Sequence, residues 1–287
     1  MLTFVESISL AGDRAKQNDD ACGASRMWGW VIDGATDLHQ TPINTYASDA
    51  AWIATALNER LAGSARSSDL YGAESDVLRE EVRTASEALR TDWASDLPLD
   101  VERWELPTAS MLLVSDTALG VLHGIDLGDC RCFVLDAEGN AHTLGGSTES
   151  TASEASAAAD AAKRTGGADL LRDQRTLLQL REKRALHNTD RGYWVFGLQP
   201  ECADHARPWT LNAPRPAHLV LCTDGFSALV DRYQVYDAAG LVRAALDKGL
   251  QELGRELRAI EAQDSGGTLH PRFKKSDDAT ALLLRLS

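Results

Sequence analysis

Three aspartates fall where strands would end or begin. Asp33 and Asp224 each follow a short apolar run, WGWVI (28–32) and HLVLCT (218–223), and each precedes a glycine. Asp277, with a second aspartate after it, stands just before the apolar run ATALLLRL (279–286). If the runs are antiparallel neighbours, the C-terminal ends of two lie beside the N-terminal end of the third, and the acids meet at one edge of a core. Carboxylates gathered in this way repel one another unless a cation neutralises them. Oxygen donors without convergent His or Cys suit Mg²⁺ or Mn²⁺ and not zinc. The glycines would let backbone carbonyls and bound water approach an ion. Two ions bridged by one carboxylate can activate a water and stabilise charge on a phosphoryl group. A lone Asp-Gly is more often a simple turn. Three apolar runs with acids at matching ends are a stronger signal.

The elements that would position these acids follow from periodicity. Apolar residues recur at helical spacing from Tyr46 to Leu61, with Asn44 or Thr45 as N-cap, and 75–94 reads as a second amphipathic helix. From about 108 to 144, short β-like runs broken by Gly or Asp predict an antiparallel meander. Residues 145–168, rich in Ala, Ser and Thr, lack the large apolar groups that would order them, and are expected to be a flexible insert or weak helix. A helix over 168–185, a strand at YWVFGL (193–198) and a long helix over 237–262 complete the pattern. Helices and strands come in blocks, so a single α+β layered domain is expected over a Rossmann-type sheet.

Composition removes other classes. The 287 residues carry a formal charge of −14 with no Lys/Arg-rich run, which disfavours nucleic acid as a partner. The N-terminal run carries Glu6 and no basic region, and no apolar stretch approaches the ~18 residues of a membrane span. A cytoplasmic protein without membrane contact is expected. The five cysteines lack CxxC spacing, so neither a disulfide framework nor a zinc site follows. Cys130 and Cys132 read as small core residues. Neither a CX5R nucleophile nor a GxSxG elbow occurs. Trp28 and Trp30 share a strand face and are expected in the core, which is also the default for Trp194.

Six segments in chain order resemble the PP2C (PPM) family of metal-dependent protein serine/threonine phosphatases. They are GDRAKQNDDA (12–21), WVIDGAT (30–36), PTASMLLV (107–114), LGDCRCFVLDAEG (127–139), LCTDGFSALV (221–230) and KSDDATALLLRL (275–286). The region 145–217 is least matched. The resemblance implies a four-layer αββα sandwich of two mainly antiparallel sheets flanked by helices, with a metal site in a cleft at one edge. By the same resemblance, Asp33 bridges two ions and Gly34 offers its carbonyl to the second. Asp224 and Asp277 complete the first ion's protein ligands. Asp19, where the family usually has Glu, binds the second ion through water, with Asp20 supporting that edge. Asp129 matches a position associated with a third ion. Arg14, one residue farther from the acidic pair than is usual, is the implied phosphate grip.

Two departures stand out. The family's DGHGG-type sequence reads DGATD (33–37) here, with His39 in another register, and Ala228 stands where some members carry an aspartate. The implied activity is hydrolysis of phosphoserine or phosphothreonine in a phosphorylated protein by a metal-activated water. Mg²⁺ or Mn²⁺ is the implied cofactor, and the protein is expected to be a monomer. A non-catalytic binding module and a phosphatase of small phosphorylated metabolites remain as alternatives.

Overall fold

A computed structural model of the chain describes residues 1–44, 46–67, 72–94, 101–117, 119–146, 148–165 and 170–287. Thr45, one of the two expected caps, lies outside them. The strands form two sheets. One has the order β1 (Leu2–Leu10), β11 (Ala279–Leu286), β10 (Ala217–Cys222), β6 (Arg131–Leu135), β7 (Ala141–Leu144). The other runs β2 (Asp20–Ala24), β3 (Trp28–Gly34), β4 (Thr108–Asp116), β5 (Leu122–Leu127), β9 (Arg207–Leu211), with short β8 (Phe196–Gly197) on β4. The described pairings are antiparallel.

Solvated antiparallel strands alternate apolar and polar residues, but β11 is buried everywhere except Arg285. Both its faces are covered. Leu282 and Leu284 point between the sheets, where they meet Val31, Leu112, Cys132 and Leu219. Ala281 and Leu283 point outward against α5 (Asp224–Asp231), α6 (Ala238–Lys248) and α7 (Leu250–Gln263). On the far side, Trp28, Trp30 and Ile32 of β3 pack against α1 (Asp49–Ser67) and α2 (Ser75–Ala94). The layers are therefore helix, sheet, sheet, helix. Cys130 and Cys132 lie fully buried in the inter-sheet core.

Several elements differ from the local pattern. The 108–144 run is not one meander: β4 and β5 stay in one sheet, and the chain crosses at Gly128–Asp129 to β6 and β7 in the other. Gly128, with φ +85°, makes that turn possible. The 237–262 helix breaks at Gly249, where φ is +82°. The N-terminal run, assigned no element from its pattern, is the edge strand β1. Residues 148–165 take the helical one of the two expected alternatives, as α3 (Thr148–Thr165), and Ala158 and Ala161 pack on Leu170. YWVFGL contributes only Phe196–Gly197 to a ladder. Among the described residues no helix is long and apolar enough to cross a membrane.

Asp224-Gly225 is the start of α5, not a turn, and Thr223 sits at its N-cap. A Cβ on Gly225 would stand 1.9 Å from the Asp278 carbonyl oxygen. Gly225→Ala must therefore push the start of α5 away from β11. A loss of ~1–3 kcal/mol is expected from this overpacking, measured by urea unfolding. An unchanged midpoint would mean that the contact can relax freely.

Candidate metal centre

Antiparallel pairing of β10 and β11 sets Cys222 opposite Ala281, which brings Asp224 and Asp277 to the same end of the first sheet. Asp33 comes from β3 in the second sheet, opposite Asp20 on one side and Ser110 on the other. The acids thus meet across the gap between sheets, not along the edge of one. Asp33, Gly34, Asp129, Asp224 and Asp277 line one cleft. Ser110 Oγ donates to Asp129 Oδ1 at 2.7 Å and holds it at the sheet crossing.

Asp20 and Asp19 stand behind this floor. Thr223 Oγ1 donates to Asp20 Oδ2 at 2.9 Å, while Asp20 Oδ1 is buried without a hydrogen-bond partner among the described residues. Ser48 Oγ donates to Asp19 Oδ1 at 2.5 Å, and Gly34 N donates to the Asp19 carbonyl at 3.1 Å. Asp278 holds the whole segment: its carboxylate accepts from Gly12 N and Asp19 N, both at 2.7 Å. The glycine after Asp33 has a tighter reason than access for an ion. A Cβ there would come within 2.5 Å of the Asp19 carbonyl and 2.6 Å of the Ala50 carbonyl. Protein backbone already fills the space.

Burial raises the pKa of Asp33 well above the carboxylate range, and Asp20, Asp224, Asp129 and Asp277 add repulsion. Burial, reinforced by Asp278, pushes Asp20 up to about 8. Asp19 rises to about 6, again chiefly by burial. Asp277 goes the other way. Burial opposes its ionisation, but the Lys274 ammonium 2.5 Å from its Oδ1 overrides this and holds its pKa below the usual value.

These residues fit a divalent cation. The donors are oxygens, they repel one another, and Asp20 Oδ1 has no hydrogen-bond donor among the described residues. Among the described residues, the three side chains whose donor atoms all lie within 4.8 Å of one another are a different set, Asp37, His39 and Asp49. Hydrogen bonds account for that set. Asp49 accepts from His39 Nε2, Ile43 N and Asn44 N, and Asp37 accepts from Asp49 N and Ala50 N at the start of α1. It is a helix cap. The acids of the floor are more widely spread, with Lys274 drawing Asp277 toward itself.

The sequence-predicted residues divide accordingly. Asp33, Gly34, Asp224, Asp277 and Asp129 share the cleft, and Asp19 and Asp20 adjoin it. Arg14 does not reach the lining. Asp278 pins the backbone on either side of it, and Arg14 is left exposed on a turn where Ala15 N and Lys16 N bond back to Asp13. Ala228 is buried within α5 against the core, so an acid there would need a different environment. Trp194 packs at the edge of the core and also lines the cleft, stacked on His205 at 3.4 Å. Sequence reasoning missed Asp278 as the clamp, Lys274 as the internal cation, and Arg184 on the cleft wall. Only Lys274, three residues before Asp277, carried a local signal.

No protein-family model matches the sequence, and no match was found among curated proteins. Solved structures do match. The PPM Ser-Thr phosphatase MsPP from Mycobacterium smegmatis, in complex with cacodylate, is 17% identical, with a TM-score of 0.55 over 98% of this chain and 97% of its own. The Mycobacterium tuberculosis serine/threonine phosphatase PstP/Ppp is 16% identical, with a TM-score of 0.58 over 100% and 99%. A PstP catalytic domain in complex with two manganese ions is 15% identical, with a TM-score of 0.55 over 99% and 97%. The chain has the fold of the PPM serine/threonine phosphatases.

Two outcomes follow from the charges. In folded protein Asp20 titrates near 8 against 3.8 in the unfolded chain, so the stability of the protonated form is lost as pH rises between those values. In chelator, Tm should fall from pH 5 to pH 8, and Mn²⁺ should raise Tm more at pH 8 than at pH 5. A Tm rising with pH in chelator would contradict the assigned burial. Removing the competing ammonium by Lys274→Met should tighten Mn²⁺ binding about tenfold in calorimetry, the equivalent of ~1.4 kcal/mol. Weaker binding would mean that Lys274 supports the ion instead.

Proposed function

We propose that this protein is a metal-dependent phosphatase acting on phosphoserine or phosphothreonine in protein substrates. The observation that carries the reading is the crowding of Asp33, Asp129, Asp224 and Asp277 on the floor of one cleft, with Asp20 and Asp19 behind. Asp33, the Gly34 carbonyl, Asp224 and Asp277 would hold the ions, and Asp19, Asp20 and Asp129 would support them. When bound, two divalent cations supply the Lewis acidity that activates a water and neutralises phosphoryl oxygens. Asp33, which feels the charge of Asp20, Asp224, Asp129 and Asp277, would be shared between the two ions.

The chain's own groups also favour direct attack by water. A cysteine nucleophile needs a thiolate. Burial holds Cys22 and Cys202 up at about 11 and also raises Cys130, Cys132 and Cys222. Lys274 lowers the net negative charge that an incoming phosphate must meet. The aromatic and basic wall formed by Tyr193, Trp194, Lys183 and Arg184 gives room and attraction for a phosphorylated side chain with its flanking chain. The fold likeness to Ser/Thr phosphatases supports a protein substrate over a metabolite.

One observation favours the non-catalytic alternative: Lys274 already supplies a positive charge to Asp277, as a site without metal would require. Hydrolysis of p-nitrophenyl phosphate and of a phosphoserine peptide with Mn²⁺ decides between them. Asp224→Asn is expected to cost at least ~100-fold in kcat, the order seen when a group stabilising the transition state is removed. Equal rates for the variant and the parent would sink the assignment.

A further inference from the structure

The cleft beside the acidic floor is walled by cations, in a chain whose formal charge is −14. Most of those with described contacts are committed to a carboxylate. Arg207 Nε donates to Asp126 Oδ2 at 2.8 Å, Arg272 Nη1 to Asp264 Oδ2 at 2.9 Å, and Lys274 Nζ to Asp277 Oδ1 at 2.5 Å. Arg184, in the last turn of α4 (Gln174–Ala185), is different. Its Nη1 donates to the carbonyl oxygens of Thr36 at 2.8 Å and Ala35 at 3.4 Å. Among the described residues no carboxylate lies within 4.0 Å of it, and its Nε and Nη2 have no acceptor. Burial lowers the guanidinium to about 10, with Asp37 opposing from beyond ion-pair distance.

A recessed cation without a counter-anion is costly unless something answers it. Its place at the C-terminal end of α4 offsets a part. A purely structural tie would need only the Nη1 bonds. Those bonds attach the guanidinium to the loop that directly follows Asp33-Gly34, so its plane is oriented relative to the acidic floor, and Arg184 lines the cleft with its Nε–Nη2 edge unused. That edge is a planar pair of donors, which suits two oxygens of one phosphate or carboxylate.

Resting on the phosphatase reading above, we propose that Arg184 grips an oxyanion of the substrate, in the role that Arg14 cannot take from the exposed turn. The oxyanion is either the phosphoryl group itself or a carboxylate flanking the phosphorylated residue. Arg184 binds and orients; it moves no proton.

The test uses the full chain loaded with Mn²⁺, as parent, Arg184→Gln and Arg184→Lys. Steady-state kinetics are taken on p-nitrophenyl phosphate and on phosphoserine peptides with alanine or glutamate flanks, and inorganic phosphate is titrated calorimetrically. Arg184→Gln is expected to raise KM about tenfold or more, the loss of a charge-assisted bond, while kcat falls far less. Arg184→Lys should recover part of the loss. A rise in KM on every substrate, with weaker phosphate binding, identifies the phosphoryl group. A rise confined to the glutamate-flanked peptide identifies the flanking acid. If neither variant changes any KM or the phosphate affinity, the grip is refuted. It is refuted equally if both variants lose Tm to the same extent and lysine rescues nothing, because Arg184 is then only a tie. Phosphate binding that depends on Arg184 in a chain that hydrolyses no substrate would sink the phosphatase reading and leave the grip standing.

Discussion

One residue joins three stretches of backbone at the site. The Asp278 carboxylate takes the amide protons of Gly12 and Asp19, and its own carbonyl lies against Gly225. The N-terminal segment, the start of α5 and the entry to β11 are therefore fixed relative to one another. The β2–β3 ladder sets Asp20 opposite Asp33, and this junction ties that pair to the segment carrying Asp224 and Asp277. The Asp278 carboxylate also adds repulsion on Asp19 and Asp20, so the clamp that assembles the site adds to its demand for a cation.

Repulsion of this kind cannot be relieved by moving apart, because the acids ride on strands whose other residues are locked in the inter-sheet core. Asp33 follows Val31 and Ile32, both fully buried, and Asp277 precedes a strand of buried leucines. Proton uptake, Lys274 or a divalent ion are the ways left to answer it. The first two act on different residues: protonation is favoured at Asp33 and Asp20, and the ammonium serves Asp277.

How much of this was legible depended on whether the signal was local. The ends of the β3, β10 and β11 runs are set by their own apolar patterns and stood out at once. β10 and β11 are antiparallel neighbours, as acids at opposite ends of the two runs imply, with Cys222 opposite Ala281. That Asp33 arrives from a second sheet was not readable, because a strand buried on both faces has no period to show which sheet it joins. The same limit hid the crossing at Gly128, which looked like one more hairpin. The α2 range, Ser75–Ala94, is readable from helical spacing alone. Gly249 interrupts a helical pattern that is otherwise continuous through it, and only its φ of +82° reveals the break. Arg14 kept a family-like position in the chain, but its direction is set by Asp278, some 260 residues away in sequence. Arg184 lies in a helix of weak amphipathicity and becomes a cleft residue only through tertiary packing.

The layered core and the cleft wall are built from separate parts of the chain. The wall formed by α4 and the 187–195 segment is attached by side-chain-to-carbonyl ties: Arg181 to Leu38, Arg184 to Thr36, and Arg103 to His187. Carbonyl oxygens are present whatever the side chain, so these ties survive replacement of the residues they grasp. Exposed positions of the wall can then drift in sequence while the acids beneath keep their places. Such a division lets a lineage change what it recognises without rebuilding the machinery that does the chemistry.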